Sequence, residues 1–323
     1  MTHMKKRTAA RLGPYFFASS LLALCLMLSA CGPLLGASER NDGDPSQGYV
    51  EDILPGGEGL PSGSARATLW FLSLNDQYLA QRDYILPSGQ GLSLEQAIIE
   101  QLIRGPEGAD GLQALINPST LVKQISEQSG YLSVTLSREF LRSPQGQEDG
   151  ALRKRLALSS IVSSITELGR HSSVLILVDK QGDGTGDRLS AAESGFGDLG
   201  DTTLGPLSRD PSILLTPYRV AELALQALSE RNYAVLEQYL TGLPGDGSSV
   251  ADALGDLGSV AGFALSGSVS VSQDGLSAAA TLDLSLAEPG GAFSERRGLA
   301  LLLKREADWR VSYPSLLRAL GGA

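Results

Sequence analysis

The sequence predicts an α+β protein of two modules, and three observations point there. Between residues 65 and 182, strand-like and helix-like patterns interleave. Between 208 and 323, helices come first and long strands follow. The stretch 183–207 between them is rich in Gly and Asp and poor in large apolar side chains, which reads as a linker. With 323 residues, the chain is long enough for two cores at about 100–200 residues per domain. The two are expected to fold independently.

The N-terminus reads as a secretory signal over residues 1–30. Lys5, Lys6, Arg7 and Arg11 form a basic region, Tyr15 to Met27 an apolar stretch, and Ser29-Ala30 supply small residues. Thirteen apolar residues are too few to span a bilayer, which takes about 20. Leu28-Ser29-Ala30-Cys31 resembles the lipobox of bacterial lipoproteins, in which the cysteine is diacylated and the chain cut just before it. The resemblance implies lipidation of Cys31 and attachment to the extracytoplasmic face of the cell membrane. The alternative is an ordinary signal peptide that happens to contain a cysteine. Residues 31–64 follow as an acidic Gly- and Pro-containing segment without apolar periodicity, expected to be a disordered spacer of about 30 Å mean reach.

In the first module, Ala67–Leu72 and Tyr78–Leu86 are β-favouring segments around an Asn75-Asp76 turn. Ser93 is placed to cap a helix in which Leu94, Ile98 and Leu102 share a face, and Gly105-Pro106 ends it. Leu121–Glu127 and Tyr131–Ser137 form a second pair of strands around Gly130. A helix from Asp149 to Leu168 carries Leu158, Ile161, Val162 and Ile165 on one side and closes at Gly169, before a short apolar strand Val174–Val178. The order β-β-α-β-β-α-β implies an α/β layer.

In the second module, Thr216 can cap a helix opened by Pro217. Val220, Leu223, Ala224, Ala227 and Leu228 give that helix an apolar face, and Tyr233–Leu240 suggests a second short helix. After a weak helix near Val250–Leu257 come strands at about Gly262–Val271, Ser277–Leu286, Arg297–Lys304 and Trp309–Val311, an antiparallel meander with turns at Gln273-Asp274-Gly275 and Glu306-Ala307-Asp308.

Leu94-Glu95-Gln96-Ala97-Ile98-Ile99-Glu100-Gln101-Leu102-Ile103-Arg104-Gly105-Pro106 resembles the helix-to-Gly-Pro segment of the GerMN domain of sporulation and spore-germination proteins. Leu69-Trp70-Phe71, Ile116-Asn117-Pro118, Val134–Phe140 and Ile161–Leu168 before Val174–Asp179 fit the same domain in order, over residues 65–182. The resemblance implies an α/β layer module that binds envelope proteins or itself, with no known chemistry. That family's sporulation protein carries two such domains in tandem, but no second Gly-Pro-ended helix occurs here. The second half, 208–323, resembles the α+β cone of the nuclear-transport-factor-two-like superfamily. There the interior candidates Leu282, Leu284, Leu286, Leu299, Leu301 and Leu303 fit a packed core better than a ligand cavity.

Charge narrows the partners. The chain has 26 bases and 36 acids, and four of the bases lie in the first 30 residues, so the remainder holds 22 against 36. No basic run offsets this, which argues against nucleic acid. Both cysteines, Cys25 and Cys31, precede the folded modules, so neither module has a thiolate for zinc or nucleophilic chemistry. His171, the only histidine after the signal, has no acid or Ser elbow beside it in sequence and reads as a surface turn residue. Arg104 reads as structural. Asp179, Asp183 and Asp187 alternate with glycines and could chelate calcium, but they miss the EF-hand spacing, and a solvated acidic loop is the simpler reading. Asp283 and Glu288 could form an acidic pair, yet alternation puts them on opposite faces.

The expectation is therefore a lipid-anchored, non-catalytic envelope interaction protein with no cofactor. It would be tied to sporulation, germination or envelope regulation, attached through diacylated Cys31, and able to self-associate. The alternative is a small-ligand-binding or hydrolytic lipoprotein that uses the C-terminal module.

Overall fold

The computed structural model of the chain describes residues 60–322, apart from 90, 109–110, 129, 145–149, 198–199, 201, 245–248, 256, 258 and 288–291. The signal region, Cys31, nearly all of the spacer and Glu288 lie outside the described residues. β1 (Ser64–Leu72) and β2 (Leu79–Pro87) form an antiparallel hairpin. The turn works because Asp76 adopts a positive φ of 56° and its N–H reaches the Ser73 carbonyl at 3.1 Å. α1 (Leu94–Arg104) follows, with Ser93 Oγ accepting the Gln96 N–H at 3.1 Å. It ends where Gly105, at φ 90°, donates its N–H to the Gln101 carbonyl. Gln101 Nε2 donates in turn to the Gly105 carbonyl, and Arg104 holds Gln101 Oε1 at 2.7 Å, so Arg104 serves the helix end.

β3 (Val122–Gln128) and β4 (Tyr131–Ser137) pair antiparallel, and β5 (Ser173–Asp179) joins β4 in parallel after α2 (Ala151–Thr166). Two short strands, β6 (Asp187–Arg188) and β7 (Leu207–Ser208), complete this sheet on β5. Both lie in or at the edge of the segment expected as a linker. That segment buries Leu189 and Leu204 in the core of the first module, and Ala191 and Ser194 are buried as well. Three of its glycines serve tight turns: Gly184, Gly195 and Gly200 have positive φ. At Gly195 a Cβ would collide with the Ala151 carbonyl at the start of α2. Lys180 Nζ meets Glu193 at 2.8 Å, and Glu193 Oε2 also accepts the Ser190 N–H at 2.8 Å, which ties the loop together.

In the second module α3 (Pro217–Ser229), capped by Thr216, and α4 (Tyr233–Glu237) precede β8 (Leu240–Thr241) and α5 (Val250–Gly255). β9 (Ser259–Val271), β10 (Ser277–Ala287), β11 (Phe293–Arg305) and β12 (Trp309–Ser312) form the expected meander, in the order β8-β12-β11-β10-β9. α6 (Tyr313–Leu320) follows. β8, pairing parallel with β12, and α6 were not expected from the sequence pattern. Leu282, Leu284, Leu286, Leu301 and Leu303 are buried in one core with α3 and α6, while Leu299 is half-buried against it.

Residues on both sides of the expected boundary pack into one compact unit through the hairpin. Ala67, Leu69 and Phe71 face the core of α1, α2, β4 and β5. Trp70, Leu72 and Leu79 face a second cluster with Leu156 and Leu214, and Ala80 enters the core of the second module. The Leu215 N–H bonds the Leu79 carbonyl at 2.8 Å, and Arg305 reaches Asp83 at 3.0 Å and the Gln81 carbonyl at 3.1 Å. The outer edge of β1 is satisfied by other groups. Ser164 Oγ accepts the Trp70 N–H at 3.0 Å, Ser160 Oγ donates to the Trp70 carbonyl at 2.5 Å, and Leu72 exchanges both backbone bonds with Gln113.

Ser160→Ala and Ser164→Ala each leave a buried backbone group of Trp70 unpaired, so each should cost about 1–3 kcal/mol in urea unfolding, and Gly195→Ala more than about 2 kcal/mol. Glu193 makes the fold sensitive to acid. Burial opposes its ionisation, but the bonds from Lys180 and Ser190 outweigh it and hold the carboxyl below its ordinary value of 4.5. The folded value lies below the unfolded one, so the stabilisation is complete above pH about 4.5 and is lost as pH falls through the folded value. Acid unfolding should therefore be steeper below that pH in the parent than in Glu193→Gln. The difference should stay under about 1 kcal/mol, since the pair is partly exposed.

Candidate functional site

An open groove enclosing about 910 Å³ runs between the first turn of α1 and β3. Its walls come from Gly91, Ser93, Glu95 and Gln96 on one side and Val122–Ile125 with Glu127 on the other, and the loop between α2 and β5 closes one end with Arg170 and His171. Each wall has a local cause. Gly91, at a φ of 91°, turns the chain into the Ser93 cap, and the Gly89–Leu92 bridge fixes that turn. β3 is the last strand of its sheet, so among the described residues its outer edge carries no strand partner. Gly169, at φ 71°, breaks α2 and sends the chain back toward α1.

Three ionisable side chains meet in the groove. The Glu95 side chain is 10% exposed, and its Oε1 lies 3.4 Å from Arg170 Nη1 and 3.9 Å from His171 Nε2. The guanidinium contact is at the limit of a hydrogen bond, and the imidazole contact is beyond it. His171 is 7% exposed at its side chain, whereas Arg170 is 59% exposed at the groove mouth. Glu95 is thus a buried carboxylate faced by one cation and one imidazole. Among the described residues, His171 makes no hydrogen bond to a hydroxyl that could serve as a relayed nucleophile. Lys123 and Glu127, both exposed, line the opposite wall.

His171 corrects an expectation. It is buried rather than a surface turn residue, and its acid neighbour comes from 76 residues upstream, which no local motif could reveal. One signal was present: Glu95 stands three and four residues before Ile98 and Ile99, on the apolar face of α1, where a carboxylate needs a partner. Asp179 is buried, and its two oxygens accept the N–H groups of Gly182 at 2.6 Å and Gly184 at 3.0 Å. Asp183 accepts the Thr185 N–H, and Asp187 lies in β6, so the three carboxylates do not converge. No cluster of three or more His, Cys, Asp or Glu suited to a metal occurs among the described residues. Asp283 is exposed and accepts the Gly298 N–H at 2.7 Å, fixing the bulge where Leu282/Leu284 shift register against β11. No helix among the described residues is long and apolar enough to cross a membrane.

Residues 68–182 match the family model described as "Germane: Sporulation and spore germination". No curated protein matches the chain. Among solved structures, the chain is similar to the tandem GerMN domains of the sporulation protein GerM from Bacillus subtilis, at 14% identity and a TM-score of 0.33, covering 52% of this chain and 50% of that one. It is also similar to the first GerMN domain of the same protein, at 16% identity and a TM-score of 0.34, covering 45% of this chain and 98% of that one. A third is a lipoprotein structure from Clostridium perfringens, at 22% identity and a TM-score of 0.25, covering 37% of this chain and 77% of that one. The chain thus spans about half the length of the first of these structures. The family match supports a GerMN-related domain over residues 68–182, and with it a link to proteins of sporulation and spore germination.

Proposed function

We propose that this chain is a lipid-anchored protein on the extracytoplasmic face of the cell membrane, and that its GerMN-related domain is a non-catalytic interaction module. The observation that carries the reading is the groove beside the free edge of β3. It is open, of mixed charge, and bounded by a strand with no strand neighbour on its outer side among the described residues, the arrangement by which sheets accept an extended segment of another protein. The lipobox-like Leu28-Ser29-Ala30-Cys31 supports the anchor, and the net charge of −10 supports partners other than nucleic acid. The link to sporulation and germination supports a place in an envelope assembly. The filled interior of the C-terminal sheet favours this over a ligand-binding role for that module.

Two experiments test the reading. Cells labelled with a radioactive fatty acid should incorporate it into the full chain and not into Cys31→Ser; an unlabelled parent chain removes the anchor. A photo-crosslinking amino acid at position 170, where the side chain is largely exposed, should capture one recurrent envelope protein in intact cells. Arg170→Glu should lower crosslinking from a probe at position 123 severalfold, while His171→Ala, compared at matched folded protein, should leave it unchanged. Loss of cellular function in His171→Ala with crosslinking and folding intact would point to chemistry at the groove and overturn the non-catalytic assignment.

A further inference from the structure

β3 ends its sheet, and its charges are arranged symmetrically about one residue. In Val122-Lys123-Gln124-Ile125-Ser126-Glu127-Gln128, Lys123 stands two residues before Ile125 and Glu127 two residues after it. Both charged side chains are exposed, and among the described residues neither has an ion-pair or hydrogen-bond partner. Two copies of β3 set antiparallel about a two-fold axis through Ile125 would therefore place Lys123 of each copy opposite Glu127 of the other. Ile125 would face Ile125, and Gln124 would face Ser126. Opposite charges in directly facing positions favour a strand pair, and like charges oppose it. A shift of two residues in either direction would lose both ion pairs, so the charges select one register as well as permitting it.

We infer that the partner of the β3 edge is a second copy of this chain, joined to the first by antiparallel β3–β3 pairing centred on Ile125. The inference rests on the reading of this groove as an interaction surface. After cleavage before Cys31 each copy holds 22 bases against 36 acids, an excess that repels at long range. Screening confines that repulsion to about 8 Å at physiological salt, so the charges at the contact decide, and Val122–Gln128 is itself neutral. The half-buried Ile125 would gain cover from its symmetry mate. Because residues 127 and 128 of one copy face the bulged residues 123 and 122 of the other, the regular ladder between copies spans Gln124–Ser126, and Lys123 meets Glu127 at each end of it as a side-chain contact. A contact this short belongs with weak, concentration-dependent interfaces. β9, the edge strand of the C-terminal sheet, offers no such selection. It has no charged residue from Ser259 to Val271, and register shifts near Leu265/Val269 and Val260/Gly262 interrupt it.

Cysteine crosslinking of the full chain in intact cells tests this. Ile125→Cys should give a disulfide-linked homodimer on mild oxidation, because directly opposite residues lie within about 4.5–5.5 Å at Cβ. Gln124→Cys combined with Ser126→Cys should do the same without altering Ile125, and Gln128→Cys should not. On the Ile125→Cys background, Lys123→Glu or Glu127→Lys alone should cut the dimer yield about tenfold, and the two together should restore it. Co-expressing the two single variants should yield the mixed dimer. Absence of dimer from both Ile125→Cys and the Gln124/Ser126 pair overturns the proposal, as does a yield indifferent to charge reversal. Either failure leaves capture of an envelope protein at position 170 as a separate result, so the wider reading is judged on its own evidence.

Discussion

The fold depends on how the β1–β2 hairpin is surrounded. A two-stranded sheet is marginal in water and has two exposed edges. Here β1 is buried on both faces, with Leu69 and Phe71 toward one cluster and Trp70 and Leu72 toward another. Its outer edge is closed by two serines of α2, one turn apart, and by Gln113. The register of α2 against β1 is thus set by hydrogen bonds as well as by apolar packing. Because α2 also starts under Gly195 and ends before Arg170 and His171, the same contact positions one end of the groove.

The hairpin also connects the modules. Ala80 packs into the C-terminal core, and Leu79 gives its carbonyl to Leu215 at the entry to α3. Arg209 adds to the same surroundings: it pairs with Glu167, and its guanidinium lies 5.2 Å from the centre of the Trp70 ring. Arg219 sits 5.9 Å over Tyr78 and pairs with Glu222 at 2.5 Å. Burial and the neighbouring Tyr78 raise Tyr239 above the ordinary phenol range, keeping it neutral at this junction. Arg209 and Arg219 thus lay their cations over aromatic side chains of the hairpin where the modules meet.

Much of this was legible in the sequence where one residue's neighbours decide its fate. The caps at Ser93 and Thr216, the Gly105-Pro106 stop, the Asn75-Asp76 turn and the alternation in Tyr131–Ser137 are local, and the elements fall where those signals put them. What escaped was set by distant partners. β6 and β8 are two-residue strands that exist only because β5 and β12 lie alongside. α6 escaped because its eight residues gain stability only from docking onto β11 and β12. The segment 183–207 looked loose because glycine marks flexible chain and tight turns alike, and only the positive φ values and the buried Leu189 and Ala191 separate the two. The Glu95–His171 contact joins the first turn of α1 to the loop after α2, which no spacing rule relates.

The position of Ser64 has a mechanical consequence. Any tension carried by the chain N-terminal to the fold enters at the first residue of β1, beside the Gly63 carbonyl held by the Ser88 N–H at 2.8 Å. A pull along β1 loads its nine paired positions with β2 and the α2 serines together, in shear, so many bonds must yield at once. A pull across the strand instead opens the Ser64–Pro87 end pair by pair. Resistance to force thus depends on the direction in which the N-terminal segment leaves the domain. Yielding of β1 would also strip the Trp70 contacts from α2, exposing that helix face before the C-terminal sheet bears any load.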